Sequence, residues 1–153
     1  MNWTIPRRTL WHRWNMIACA VAIFIWSTPE EDRLIFPALL GVWLAVSVLW
    51  RWLTMRCAGI TIYNVKLVVS AALFGAVSGA FSSICAVLLM LFKDARHAHL
   101  YPDYPPRILG AMLSRLPAWL VAGALAAIGV ALLLSMFHRR MFNATSPESS
   151  TMI

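Results

Sequence analysis

Long apolar stretches, each bounded by charged residues or prolines, dominate the pattern of hydrophobic and polar positions along this chain. As a helix, about 20 consecutive apolar residues cross the ~30 Å hydrocarbon core of a bilayer. The pattern predicts four transmembrane helices, over residues 10–28, 34–53, 67–92 and 117–137. The first has a short apolar centre, which Leu10, Trp11 and Trp14 extend toward the N-terminus. We therefore expect an all-α integral membrane protein.

Three other segments have a different pattern. Residues 54–66 contain Gly59 and a β-branched run, which favours an aqueous or interfacial linker because a lone strand cannot satisfy its backbone in lipid. Residues 106–116 place apolar and basic side chains on different helical faces, which predicts a short amphipathic helix in the membrane plane before the last span. Residues 141–153 are polar, so we expect a disordered tail after a single domain over 1–140.

Composition supports a membrane protein and excludes most soluble classes. The 153 residues are 61% hydrophobic and 12% charged, with a mean hydropathy of +0.72 and eight tryptophans. An average soluble domain has about 25% charged residues, and Trp favours the headgroup zone of a bilayer. These values exclude a disordered chain, a collagen, a disulfide-framework secreted domain and an ordinary cytosolic enzyme.

The net charge of +7 comes from basic residues that flank the apolar stretches instead of clustering on one face. Such residues contact anionic headgroups and set topology, so the lipid bilayer is a predicted partner and nucleic acid is not. The distribution of Lys and Arg predicts that both termini are cytoplasmic, in a cell or inner membrane. Arg7 and Arg8 also suit an export signal, but no small-x-small cleavage site follows Trp26, which favours a membrane anchor.

Ionisable residues are missing from the centres of the predicted spans. Residues 16–28, 35–50, 67–92 and 117–137 contain no Asp, Glu, Lys, Arg or His. A coupled transporter or voltage sensor normally places such a group at membrane depth. The sequence also lacks a Walker loop, a zinc-protease HExxH and a nucleophile-elbow GxSxG motif. We therefore expect neither an enzymatic activity nor a cofactor.

One polar constellation lies in the loop between the third and fourth spans. Its side chains suit contact with lipid headgroups or with a partner subunit: Arg96, His97, His99, Tyr101, Asp103 and Tyr104. On an extended backbone His97 and His99 would share one side, and with Asp103 they would offer two imidazoles and a carboxylate to zinc or a similar ion. Because the spacing matches no known metal motif, metal binding is the alternative hypothesis for this loop.

Small residues recur every four positions in the last two spans. They are Ala71, Gly75, Gly79 and Ser83 in the third span and Ala118, Ala122 and Ala126 in the fourth. Such stripes let helix backbones approach closely in a membrane. We expect the two spans to pack as a tight antiparallel pair, with a homodimer face as the alternative.

The absence of chemical motifs and the presence of packing stripes together favour a non-enzymatic role. The first hypothesis is a subunit or assembly factor of a larger membrane complex, acting by helix packing and through the His- and Tyr-containing loop. A small channel or carrier formed by self-association is the second. Metal or headgroup binding through residues 93–106 is the third.

Overall fold

The computed structural model describes residues 2–5, 10–29, 33–97 and 103–144. Within these ranges the chain is helical apart from one two-stranded sheet. The elements in chain order are β1 (Asn2–Thr4), α1 (Leu10–Trp26), α2 (Ile35–Arg56), β2 (Thr61–Tyr63), α3 (Asn64–His97), α4 (Pro106–Ser114) and α5 (Leu116–Ala144).

Three helices are long and apolar enough to cross a membrane. These spans are Ile35–Arg56, Lys66–His97 and Leu116–Phe137, with 22, 32 and 22 residues. A 22-residue helix is about 33 Å long, which matches the hydrocarbon core. The remaining predicted span, α1, has 17 helical residues and is shorter than these three.

α3 occupies the centre of the bundle. It packs against α2 on one side and against α5 on another, while α1 packs against α2. Gly41 of α2 faces the α3 backbone so closely that a Cβ there would lie 2.8 Å from the Ala86 nitrogen. At Gly75 and Gly79 of α3, a Cβ would overlap the carbonyl oxygens of Gly123 and Trp119 in α5. Glycine is therefore what permits these backbone contacts.

The extended stretch in the 54–66 linker has a partner that the sequence did not indicate. β2 pairs antiparallel with β1, with Trp3 opposite Ile62. The pairing continues in Ile5, whose backbone exchanges hydrogen bonds with Gly59 and Ile60, each at 3.1 Å. Gly59 has a φ of +85°, a left-handed conformation that suits glycine and closes the turn.

α4 runs alongside α3 in the opposite direction. The Tyr104 nitrogen lies 3.2 Å from an Asp94 carboxylate oxygen, and the Met112 carbonyl oxygen lies 3.0 Å from the Ser83 hydroxyl. The α5 residues Trp119 and Gly123 then contact Gly79 and Gly75, farther back along α3. The short helix that the amphipathic pattern predicts before the last span is thus present as α4, and its position in the membrane plane stays a prediction.

The break between α4 and α5 has a local cause. Pro117 has no N–H, so the helical hydrogen bond to the Leu113 carbonyl cannot form. The ladder resumes when the Trp119 nitrogen donates to the Arg115 carbonyl oxygen at 3.0 Å. α4 itself begins after Pro105, with Pro106 at the first helical position, where a missing N–H is tolerated.

Three helices extend beyond their predicted spans. α2 continues past Leu53 to Arg56 and α3 begins at Asn64, so both ends of the predicted 54–66 linker are helical. α3 continues past Phe92 to His97 because Lys93, Ala95 and Arg96 are helix formers. α5 continues to Ala144, so residues 141–144 are helical although the sequence predicts a disordered tail from 141. The rest of that tail lies outside the described residues.

Candidate functional site

An apolar cleft lies between α2 and α5, with α3 as its floor. Its volume is about 710 Å³, within the ~300–1,000 Å³ typical of ligand pockets. Val42, Val46 and Trp50 line one wall from α2, and Val130 and Leu134 line the other from α5. Because α2 and α5 are both held on α3 by glycine contacts, the cleft is fixed by the same packing that forms the bundle.

Most of the predicted packing residues line this cleft. They are Ala71, Gly75 and Gly79 on α3 and Ala122 and Ala126 on α5. The remaining two do not line it, since Ser83 contacts Met112 of α4 and Ala118 is exposed on α5. The structure thus brings small residues of two helices to one concave surface.

Three serines of α3 lie on the floor of the cleft at helical spacing. The Ser70 hydroxyl donates to the Leu67 carbonyl oxygen at 3.0 Å, and that of Ser82 donates to the Ser78 carbonyl oxygen at 2.6 Å. The Ser78 hydroxyl is buried and has no hydrogen-bond partner among the described residues. It is therefore a buried polar atom just beneath the otherwise apolar surface of the cleft.

The strand pair closes one end of the cleft. Ile5 follows β1, is 5% exposed and lines the cleft together with Leu53, Leu67 and Leu134. The Trp50 ring packs edge-on against Phe74 with ring centroids 6.1 Å apart. These contacts place the N-terminal segment against three spans at the same end of the bundle.

A buried lysine lies at the opposite end of α3. Lys93 has an exposure of 0%, and its ammonium group lies 5.5 Å from the centre of the Trp26 ring and 5.8 Å from that of Tyr104. Its Nζ is 4.0 Å from a carboxylate oxygen of Asp103, which lies 3.0 Å from His97 Nδ1. We call Lys93, Trp26, His97, Asp103 and Tyr104 the lysine cluster.

The lysine cluster joins three parts of the chain. Trp26 ends α1, Lys93 and His97 belong to α3, and Asp103 and Tyr104 precede α4. Cation–π and charge interactions compensate a buried ammonium group, whose isolated burial would be costly. The cluster therefore stabilises the packing of α1, α3 and the 103–105 turn against one another.

Arg96 makes a second connection to α1 beside the cluster. Its guanidinium donates to the Ser27 hydroxyl and lies 4.4 Å from the centre of the Phe24 ring. Arg96 therefore contacts α1, while it stays exposed, and its predicted contact with headgroups or a partner stays a prediction.

The other residues of the predicted loop constellation fall into two groups. His97 and Asp103 are each 14% exposed, and Tyr104 is 1% exposed. The structure thus places Tyr104 inside the protein, where the sequence predicts a surface contact. His99 and Tyr101 lie outside the described residues.

The metal hypothesis concerns His97, His99 and Asp103. His97 is helical, not extended, and its ring contacts Asp103. Among the described residues, no three His, Cys, Asp or Glu side chains are grouped so that they would hold a metal ion. Since His99 lies outside those residues, the site as predicted stays a hypothesis.

Sequence reasoning missed two polar contacts. The sequence predicts Lys93 in a loop because it follows an apolar span, whereas the structure buries it. Trp26 is the residue that could have indicated this burial, since its ring can pack against an ammonium group. Asn15 is the other case: its amide donates to the Ser47 hydroxyl at 2.7 Å and its carbonyl accepts from Trp43 Nε1 at 3.1 Å. This pair of hydrogen bonds connects α1 to α2.

Comparisons with known proteins give no relative. No protein family matches the sequence, and searches of curated proteins and of solved structures find no similar chain.

Proposed function

We propose that this protein is a non-enzymatic subunit or assembly factor of a membrane complex, and that its α2–α5 cleft receives a transmembrane helix of another protein. The cleft is the observation that carries the proposal. Its floor and one wall carry Ala71, Ala122 and Ala126, which present little side-chain bulk to an incoming helix. In lipid the hydrophobic effect does not drive helices together, because acyl chains are as apolar as the side chains. Helices associate there through close backbone contacts of this kind.

The Ser78 hydroxyl adds a specific contact. It is buried just beneath the floor of the cleft, and rotation of its χ1 toward the cleft would let it donate to a polar side chain or backbone carbonyl of a docked helix. Interhelical hydrogen bonds of this kind contribute about 0.6–2 kcal/mol in membrane proteins.

The shape of the cleft favours a different protein over a second copy. A twofold dimer pairs the same surface of both subunits. Two concave clefts facing each other would leave a void between them, whereas a convex helix fills one cleft. We therefore assign the occupant to another chain.

The proposed topology has four crossings, with α1 as the first. β1 precedes α1 and pairs with β2, which follows α2, so α1 and α2 run out and back from one end of the bundle. α1 is about 26 Å long by its 17 residues, slightly shorter than the hydrocarbon core, and local thinning of the bilayer accommodates such a mismatch. α5 returns antiparallel to α3, which puts both termini on the same side, proposed to be cytoplasmic from the Lys and Arg distribution.

Site-specific photocrosslinking in native membranes tests the proposal. A photoreactive amino acid at Ala126 lies in the cleft, and the matched position Leu133 is an exposed residue of the same helix that does not line it. We expect Ala126 to give one protein adduct of a mass other than that of a homodimer, and Leu133 to give lipid adducts. Only lipid adducts, or only a homodimer, from Ala126 would overturn the proposal.

A substitution that fills the cleft provides a second test of the proposal. Ala126→Phe places a ring in the cleft and is expected to abolish the protein adduct from a photoreactive residue at Ala122. Ala118→Phe makes the same change outside the cleft and is expected to leave the adduct intact.

The serines on the cleft floor support a second candidate, a small self-assembled channel or carrier. Ser78 would face a pore if copies associated around the cleft. Reconstitution of the purified chain in liposomes tests this candidate, because flux of ions or small solutes above protein-free liposomes is required. Without such flux the second candidate is wrong.

A further inference from the structure

A second cavity lies beside α4 and shares no lining residue with the α2–α5 cleft. Its volume is about 340 Å³. Met90, Ile108 and Met112 give it an apolar lining, and Leu34 borders it at the beginning of α2. We call it the α4 cavity.

Two arginines give the α4 cavity a positive charge. Arg107 and Arg115 both line it. Within the described ranges, neither forms an ion pair or a side-chain hydrogen bond, and no carboxylate is among the lining residues. The carboxylates near α4 are engaged elsewhere, since Asp94 accepts from the Tyr104 backbone and Asp103 contacts His97.

On the proposed topology, Arg115 lies within the hydrocarbon layer, where a charge requires a partner. It occupies the break between α4 and α5, next to Met112, whose carbonyl contacts Ser83. Ser83 precedes Phe92, the end of the uncharged part of α3, by nine residues, or about 14 Å of helix. An arginine in a hydrocarbon layer reaches for the headgroups or pairs with an anion.

We propose that the α4 cavity binds an anionic phospholipid, with its phosphate between Arg107 and Arg115 and an acyl chain against Ile108 and Met112. The guanidinium fork matches phosphate oxygens in bidentate geometry. The apolar lining distinguishes an amphiphile from a free phosphate ion, which would gain nothing from contact with Ile108 and Met112.

The spacing of the two arginines fits one headgroup. Their Cα atoms are separated by eight positions, about 12 Å along a helix. Side chains on a helix lean toward its N-terminus, which directs Arg115 toward Arg107. Since both side chains line the same cavity, a phosphodiester bound there would face both guanidinium groups.

Native mass spectrometry of the full chain in nanodiscs provides the test. The discs contain phosphatidylcholine alone or with phosphatidylglycerol. We expect the wild-type chain to retain phosphatidylglycerol preferentially when released from mixed discs. Arg107→Gln and Arg115→Gln should each weaken that retention about tenfold, as expected for the loss of a charge-assisted contact.

Arg56→Gln is the matched control. It removes the same charge from an exposed position at the other end of α2 and is expected to retain the lipid as the wild type does. Equal loss in the control, or no preference for phosphatidylglycerol in the wild type, would overturn the proposal. Displacement of the lipid by millimolar inorganic phosphate would overturn the lipid assignment and indicate a small-anion site.

A second measurement does not depend on folding of the variants. A photoactivatable phosphatidylglycerol analogue added to the wild-type chain should label peptides of α4, and excess phosphatidylglycerol, but not phosphatidylcholine, should compete. Labelling spread evenly over all exposed helices would contradict a defined site.

Discussion

The Ser83 hydroxyl donates a hydrogen bond to the carbonyl oxygen of Met112, 29 positions farther along the chain, at 3.0 Å. Met112 lies in the last turn of α4, and its carbonyl oxygen also accepts from the Arg115 backbone N–H at 3.3 Å. A serine inside an uncharged span thus adds a second donor at the end of a helix that stops beside it.

This contact predicts different effects for two neighbouring serines. Ser83→Ala removes one of the two donors to the Met112 carbonyl, together with the contact between α3 and α4, and should lower the free energy of unfolding by about 1 kcal/mol. Ser82→Ala is the control: its hydroxyl bonds only to Ser78 one turn earlier, so little change is expected. Tryptophan fluorescence during denaturant titration in micelles measures both, and equal effects would contradict the assigned role.

Glycine substitutions should separate contact positions from open ones. Gly75→Ala introduces a Cβ into the Gly123 carbonyl, and we expect a loss of about 1–3 kcal/mol of stability from overpacking between α3 and α5. Gly129→Ala meets no atom within 4 Å, so it should be neutral or stabilise α5 by up to about 1 kcal/mol. Thermal unfolding in detergent compares the two variants. A lower unfolding temperature for Gly75→Ala, with an unchanged or higher one for Gly129→Ala, is the expected result, and equal losses would contradict it.

The polar contact between α1 and α2 predicts a third contrast. Ser47→Ala leaves the Asn15 amide without its 2.7 Å partner and should weaken α1–α2 packing by about 0.6–2 kcal/mol. Ser135→Ala removes a hydroxyl that bonds to the Leu132 carbonyl of its own helix, so it should leave stability unchanged. Hydrogen exchange over α1 reports the difference, and unchanged protection in Ser47→Ala would show that the contact is dispensable.

The lysine cluster should behave as a coupled unit. Lys93→Met and Asp103→Asn should each destabilise the chain by about 1–3 kcal/mol, because each removes one charge of a pair whose lysine is fully buried and whose carboxylate is mostly buried. The double variant should cost less than the sum of the two.

Lys66→Met serves as the control for that cycle. Lys66 is exposed near the start of α3, and its loss should have little effect on unfolding. Additive effects of Lys93→Met and Asp103→Asn would mean that the two side chains do not interact.

Several features follow from local sequence. The apolar stretches that become α2, α3 and α5 are long enough to identify as spans, because crossing a bilayer requires only length and hydropathy. Pro106 marks the start of α4 for an equally local reason, since proline suits the first helical position.

Other features depend on contacts between distant residues. The partner of β2 is β1, which α1 and α2 separate from it along the chain, and no local pattern in residues 61–63 specifies this pairing. Lys93 looks like a loop residue in the sequence, yet Trp26 and Tyr104 bury it. The course of α4 likewise depends on Ser83 and Met90, which its amphipathic pattern does not encode.

By itself, the sequence determined that this is a helical membrane protein, because the free energy of transferring a segment into lipid depends on the side chains of that segment alone. Only the tertiary structure decided where α4 runs, which arginines share a cavity and where a cleft lies between α2 and α5. These features depend on how closely two backbones approach, and that distance is set by pairs such as Gly75 and Gly123, which lie on different helices.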